Sequence, residues 1–98
     1  VATLWLAFPG RSANALTLPR LAELDAALGA VAGRPSLDVL MVRSGLPTGF
    51  SEGHDPDTLA ALDTDAAAAR FAVAGQRVFD KLAALDAVTV AFVHGPCL

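Results

Sequence analysis

Apolar and polar residues alternate from Val1 to Phe8, with Leu4, Leu6 and Phe8 on one side and Thr3 and Trp5 on the other. A period of two predicts a strand with one buried face, and Pro9-Gly10 ends it. The period then changes. Leu21, Leu24, Leu28 and Val31 recur at spacings of 3, 4 and 3, which is one face of a helix. Thr17 stands where an N-cap belongs, and Gly33 with Pro35 closes the segment. Leu37 to Ser44 is a nearly continuous apolar run, as expected of a strand buried on both faces. A short helix is predicted over Pro56 to Leu62 and a longer one over Asp65 to Leu85. In the longer one Phe71, Val78, Leu82 and Leu85 share a face, while Arg70, Gln76, Asp80 and Lys81 are mostly solvated. The Ala/Asp-rich stretch from Asp63 to Ala69 joins or begins that helix. Val88 to His94 is the last strand. Strands alternating with helices predict an α/β fold with parallel pairing and right-handed crossovers. The pattern leaves open whether the sheet is flat and doubly wound or part of a spiral.

Composition narrows the class. Hydrophobic residues make up 54% of the 98, with mean hydropathy +0.52, and much of this is Ala and Leu, which favour helices. A chain this short buries only about 60–65% of its unfolded surface. The apolar excess therefore implies surfaces meant for further chain or for neighbouring subunits. Net charge is −3 and the seven basic residues are scattered, which argues against a nucleic-acid partner. One Cys excludes an internal disulfide and fits a reducing, cytoplasmic setting. No apolar run reaches the roughly 18–20 residues of a membrane span.

The stretch with the most chemistry is Phe50-Ser51-Glu52-Gly53-His54-Asp55. An apolar strand runs up to it through Gly45-Leu46-Pro47-Thr48-Gly49. Asp55-Pro56 reads as a helix start, because Asp caps and Pro suits the first helical position. A tight Gly-containing turn on a helix N-terminus aims backbone N–H groups at one point, which favours negative charge. Such a point can hold an anion or stabilise an oxyanion formed during a reaction, and the residues alone do not say which.

This segment resembles the oxyanion-hole turn of the crotonase superfamily, the enoyl-CoA hydratases and isomerases, whose pattern is roughly F-x-A-G-x-D. Three other segments agree in order and spacing. Ser12-Ala13-Asn14-Ala15-Leu16 resembles the family's N-A-L loop, which lines the coenzyme A site. Val39-Leu40-Met41-Val42-Arg43-Ser44-Gly45 resembles the strand feeding the turn. Thr89-Val90-Ala91-Phe92-Val93-His94-Gly95-Pro96-Cys97-Leu98 resembles the strand and turn that lead to the family's triple glycine. The resemblance implies a crotonase-like spiral of ββα units, in part. Residues 1–98 are expected to be the N-terminal part of one domain, ending before the triple glycine.

The resemblance also implies roles. The His54 backbone N–H would be one of two oxyanion donors. Ala13, Asn14, Ala15, Glu52, Gly53 and Asp55 would line the acyl-CoA site. The second donor and two acid–base glutamates lie beyond Leu98 in the family, so these residues alone are expected to be inactive. Coenzyme A enters as part of the substrate, with no prosthetic group and no metal. A trimer, a hexamer or a fused dehydrogenase domain is implied, the last because Arg43-Ser44-Gly45 and His94-Gly95-Pro96-Cys97-Leu98 look most like multifunctional fatty-acid oxidation proteins. Glu52 departs from the family, which has a small residue there, and a carboxylate would repel the phosphates of coenzyme A unless it points to solvent. Val88 departs from a common Pro.

Plainer readings stand beside these. The His54 imidazole is either a general base or an exposed ring in a structural turn. Asp55 reads first as a helix cap. Asn is common in loops because it bonds nearby backbone, which would account for Asn14. Arg11 and Arg20 either reach phosphate or are solvated. His94 is read as structural, Cys97 as packing, and Trp5 as core or interface. Rival functions are a non-catalytic acyl-CoA-binding or assembly protein of the same fold, and a small α/β interaction domain.

Overall fold

The computed structural model describes residues 1–8 and 13–98; the expected stop at Pro9-Gly10, Arg11 and the first residue of the Ser12–Leu16 segment lie outside them. Strand β1 (Ala2–Leu6) is followed by the two-residue β2 (Ala15–Leu16) and helix α1 (Leu18–Ala32). Strand β3 (Val39–Ser44) is followed by the two-residue β4 (Gly53–His54) and helices α2 (Pro56–Ala60) and α3 (Asp65–Ala83). Strand β5 (Val88–Phe92) begins a third round. The three long strands form one parallel sheet in the order β1-β3-β5. The short ones form a second parallel pair, which an isolated parallel bridge from Ser51 to Cys97 extends. The repeated unit is thus long strand, short strand, helix, and each strand type builds its own sheet.

The helices form where the 3.6-residue period placed them. Thr17 caps α1 by accepting the Arg20 N–H at 3.3 Å, and Gly33 closes it in an ordinary right-handed conformation. Leu21, Leu24 and Leu28 of α1 and Phe71 and Val78 of α3 are buried together with Leu6 and Leu40 of the sheet. Both helices therefore cover the same face of the sheet, and Lys81 of α3 reaches Asp25 of α1 at 2.7 Å.

Burial of β3 on both faces is not what the structure has. Leu40 is fully buried, but Arg43 is exposed. Its guanidinium lies between two rings, 5.0 Å from Trp5 and 5.3 Å from Phe92, which are its register partners on β1 and β5. A continuous apolar run signals burial of the whole strand only when both faces are covered. Here the helices cover one. Trp5 accordingly sits outside the core.

Candidate functional site

The turn leading out of β3 is held by a buried side chain. Asn14 is 1% exposed. Its Oδ1 accepts the Phe8 N–H at 3.3 Å. Its Nδ2 lies 2.9 Å from the carbonyls of Leu6 and Phe50 and from Ser44 Oγ. Carbonyl oxygens only accept, so the amide must face them with its nitrogen. Two hydrogens serve three acceptors, and one is shared. A single side chain thereby ties the ends of β1 and β3 to the start of the Phe50–Asp55 stretch.

The backbone carbonyl of Asn14 adds two links, accepting from Ser51 Oγ and from the Glu52 N–H, each at 2.9 Å. Further along, the Asp55 N–H donates to the Leu16 carbonyl at 2.8 Å. Bonding residues three apart on one segment thus face residues two apart on the other, which makes the segment bulge. Gly53 occupies the bulge at φ +78°. An added Cβ there would lie 3.1 Å from the Leu98 carbonyl oxygen, and a side chain would be strained at this φ. Gly49 answers a different need, since a Cβ on it would stand 2.9 Å from Pro96 Cδ, where Phe50 and Ser51 donate to the Pro96 carbonyl.

Successive N–H groups of extended chain point to opposite edges. The Asp55 N–H is turned to Leu16, and the opposite edge is the side on which Cys97 bridges Ser51. His54 is part of the short ladder by register. The imidazole goes elsewhere: its ring centroid is 5.1 Å from that of Phe71 on α3. Gly75 opposite leaves it room, since an added Cβ would only touch Nε2 at 4.0 Å.

Asp55 is buried, and its Oδ2 accepts from the Thr58 N–H at 2.9 Å and from Thr58 Oγ1 at 2.8 Å. Its side chain caps α2 and is turned into that helix. Replacing Asp55 by Ala should lower stability by about 1–2 kcal/mol, the usual cost of a lost cap, and Asp55→Asn should recover most of it. Equilibrium denaturation of the two variants checks this; equal loss in both would show that the charge, and not the cap, matters.

Of the other residues singled out in the sequence, Ala13, Asn14 and Glu52 come together. They line a cavity of about 120 Å³ with Thr48, Ser51 and Pro96. The Glu52 side chain is exposed. Ala15 is buried and is the register partner of Gly53. On the other side of Ser51 lies a larger, mainly apolar cavity of about 320 Å³, bounded by sheet, helices, Cys97 and Leu98. Arg20 lies away from both, over the Phe8 ring at 4.6 Å and 3.7 Å from Glu23. His94 Nε2 donates to the Leu46 carbonyl at 2.8 Å, which is structural, as read. Cys97 is exposed rather than packed. Among the described residues, no three His, Cys, Asp or Glu side chains gather as metal ligands, and no helix is long and apolar enough to cross a membrane.

Sequence reasoning gave no role to Ser44 and Ser51, and read Phe71 only as part of the buried face of α3. Ser51 had a local signal: a hydroxyl two residues before a glycine readily accepts that glycine's N–H, and here it does so at 3.0 Å. Ser44 Oγ has a local partner, accepting the Leu46 N–H at 3.0 Å, but its bond to Asn14 and the packing of Phe71 on His54 join distant segments, and no local signal exists for those.

Comparison with known proteins places this geometry. No protein-family profile matches the chain. It is 34% identical over 97 residues to the fatty acid oxidation complex subunit alpha of Vibrio cholerae, covering 96% of this chain and 14% of that protein. It is 33% identical over 98 residues to the same subunit from Vibrio vulnificus, again covering 14% of it. The chain thus spans a small part of these relatives. Among solved structures it superposes on an enoyl-CoA hydratase/carnithine racemase from Magnetospirillum magneticum with a TM-score of 0.87 and 26% identity, covering 97% of this chain and 36% of that one. An enoyl-CoA hydratase from Mycobacterium smegmatis gives 0.83 and 26%, covering 95% and 36%.

Proposed function

We propose, from the premise that this chain belongs to the crotonase superfamily by fold and by sequence likeness, that it carries the oxyanion turn of a protein acting on acyl-CoA thioesters. The reaction is hydration of a 2-enoyl-CoA, with double-bond shift as the neighbouring chemistry. The observation that carries this reading is the bulge at Gly53, set directly before the α2 N-cap. The His54 N–H that follows it is the proposed donor.

Adding water across the enoyl double bond moves charge onto the thioester oxygen as an enolate forms. A fixed N–H aimed at that oxygen is worth more in the transition state than in the ground state. One such donor supplies about 3–4 kcal/mol. Ala13, Asn14, Ala15, Glu52 and Gly53 border the path of the coenzyme A arm, chiefly through backbone. The exposure of Glu52 lets its carboxylate turn to solvent, away from the phosphates. Coenzyme A arrives with the substrate, and no prosthetic group takes part. The second donor and the acid–base pair come from chain outside these residues, so residues 1–98 alone do not turn over. The complete protein works in the cytoplasm, as a trimer or hexamer or fused to a dehydrogenase domain.

Loss of the conjugated absorbance of crotonyl-CoA, followed with the complete protein and with residues 1–98, tests this reading. Hydration by the complete protein and none by the shorter chain is expected. Acyl-CoA binding without any turnover by the complete protein would favour the non-catalytic rival, and hydration by residues 1–98 would misplace the machinery.

A further inference from the structure

We infer that Ser51 is a positioning residue, a hydroxyl latch that holds the Glu52–Gly53 peptide, the unit directly before the one that carries the His54 N–H. This rests on the oxyanion reading above and names what holds the donor. Ser51 Oγ accepts the Gly53 N–H at 3.0 Å and donates to the Asn14 carbonyl at 2.9 Å. One hydroxyl therefore uses its proton toward β2 and a lone pair toward the bulge. The Ser51 backbone is held as well, by the Pro96 carbonyl at 3.3 Å on its N–H and by the Leu98 N–H at 3.0 Å on its carbonyl. The side chain thus has a fixed base from which to act.

The Gly53 N–H has a special need for such a partner. In the bulge its neighbours Glu52 and Asp55 make the cross-strand bonds, and the Gly53 N–H is left to a side chain. The peptide between Gly53 and His54 is the one whose N–H is the proposed donor. Glycine at positive φ has no Cβ to restrict it, so fixing its N–H removes the loosest rotation on the path to the donor peptide. A donor displaced by a fraction of an ångström loses much of its effect on a transition state. Ser51 also borders both the polar cavity and the apolar one, so threonine at this position has space for its added methyl.

The test compares Ser51→Ala and Ser51→Thr in the complete protein by two readouts. The first is amide hydrogen exchange at Gly53, with the Leu40 amide as the reference for an intact core. Alanine is expected to speed exchange at the Gly53 amide about tenfold while Leu40 stays protected, and threonine is expected to restore the slow rate. The second is crotonyl-CoA hydration. Alanine is expected to lower kcat about tenfold with KM within about twofold, as loss of an interaction made mainly in the transition state requires. Threonine is expected to recover kcat. Unchanged exchange in a folded alanine variant overturns the latch. Faster exchange with unchanged kcat overturns its role in positioning the donor. A wild-type protein without hydratase activity removes the oxyanion reading, while the exchange comparison still decides whether the latch exists.

Discussion

Proline at position 54 should slow enoyl-CoA hydration by about 10²–10³, whereas alanine should slow it less than tenfold. The difference follows from which atom acts. Alanine keeps the backbone N–H that is the proposed donor; proline has none. Loss of one oxyanion donor typically costs about 10²–10³ in kcat. The imidazole, by contrast, lies against Phe71 at 5.1 Å between ring centroids, so alanine mainly removes a packing contact. If the imidazole were the general base, the alanine variant would lose about 10²–10⁴ as well. The comparison is made on kcat, with circular dichroism confirming that both variants fold, since proline also distorts the turn. A folded alanine variant slowed a hundredfold, with a pH–rate limb in the imidazole range missing, would transfer the role to the side chain.

Asn14→Ala should destabilise the protein by about 4 kcal/mol, the largest loss expected from a single polar side chain here. Removal of the amide leaves the Phe8 N–H and the carbonyls of Leu6 and Phe50 without the partner they have now. A buried polar group left unpaired costs about 1–3 kcal/mol, and two are left so at a residue that is 1% exposed, the Phe8 N–H and the Phe50 carbonyl, while the Leu6 carbonyl keeps the Gly45 N–H at 2.8 Å. Native stability is typically only about 5–15 kcal/mol, so the loss is a large share of it. Asn14→Asp should do little better. Its carboxylate can still accept from Phe8, but it meets two carbonyl oxygens where an NH₂ stood. Exposed Glu52→Gln serves as the control and should stay within about 0.5 kcal/mol. Urea midpoints for the three variants give the answer; a cost below about 1 kcal/mol for Asn14→Ala would mean the clasp is not what holds the turn.

These two residues mark how far local reading reaches. The Gly53 turn and the Asp55-Pro56 helix start were legible because each depends on neighbours in sequence. A glycine is needed where φ is positive, and a cap bonds three residues ahead. The leucine stripe of α1 and the Phe71–Val78 stripe of α3 were legible for the same reason, since the helical period repeats within one element. Asn14 resembled a loop residue near a ligand. Its side chain is instead consumed by bonds to residues 6, 8, 44 and 50, partners up to 36 positions away.

By itself the sequence determined the order of long strands and helices, the caps of α1 and α2, and the glycine turn before α2, all of which follow from periods and dihedral needs within a few residues. Only the tertiary structure decided the rest. Two-residue strands such as β2 and β4 have no period to read, and they exist because a parallel neighbour supplies bonds. The open face of β3 and the side chain that clasps the turn were decided the same way. Each depends on which distant segments come to lie side by side.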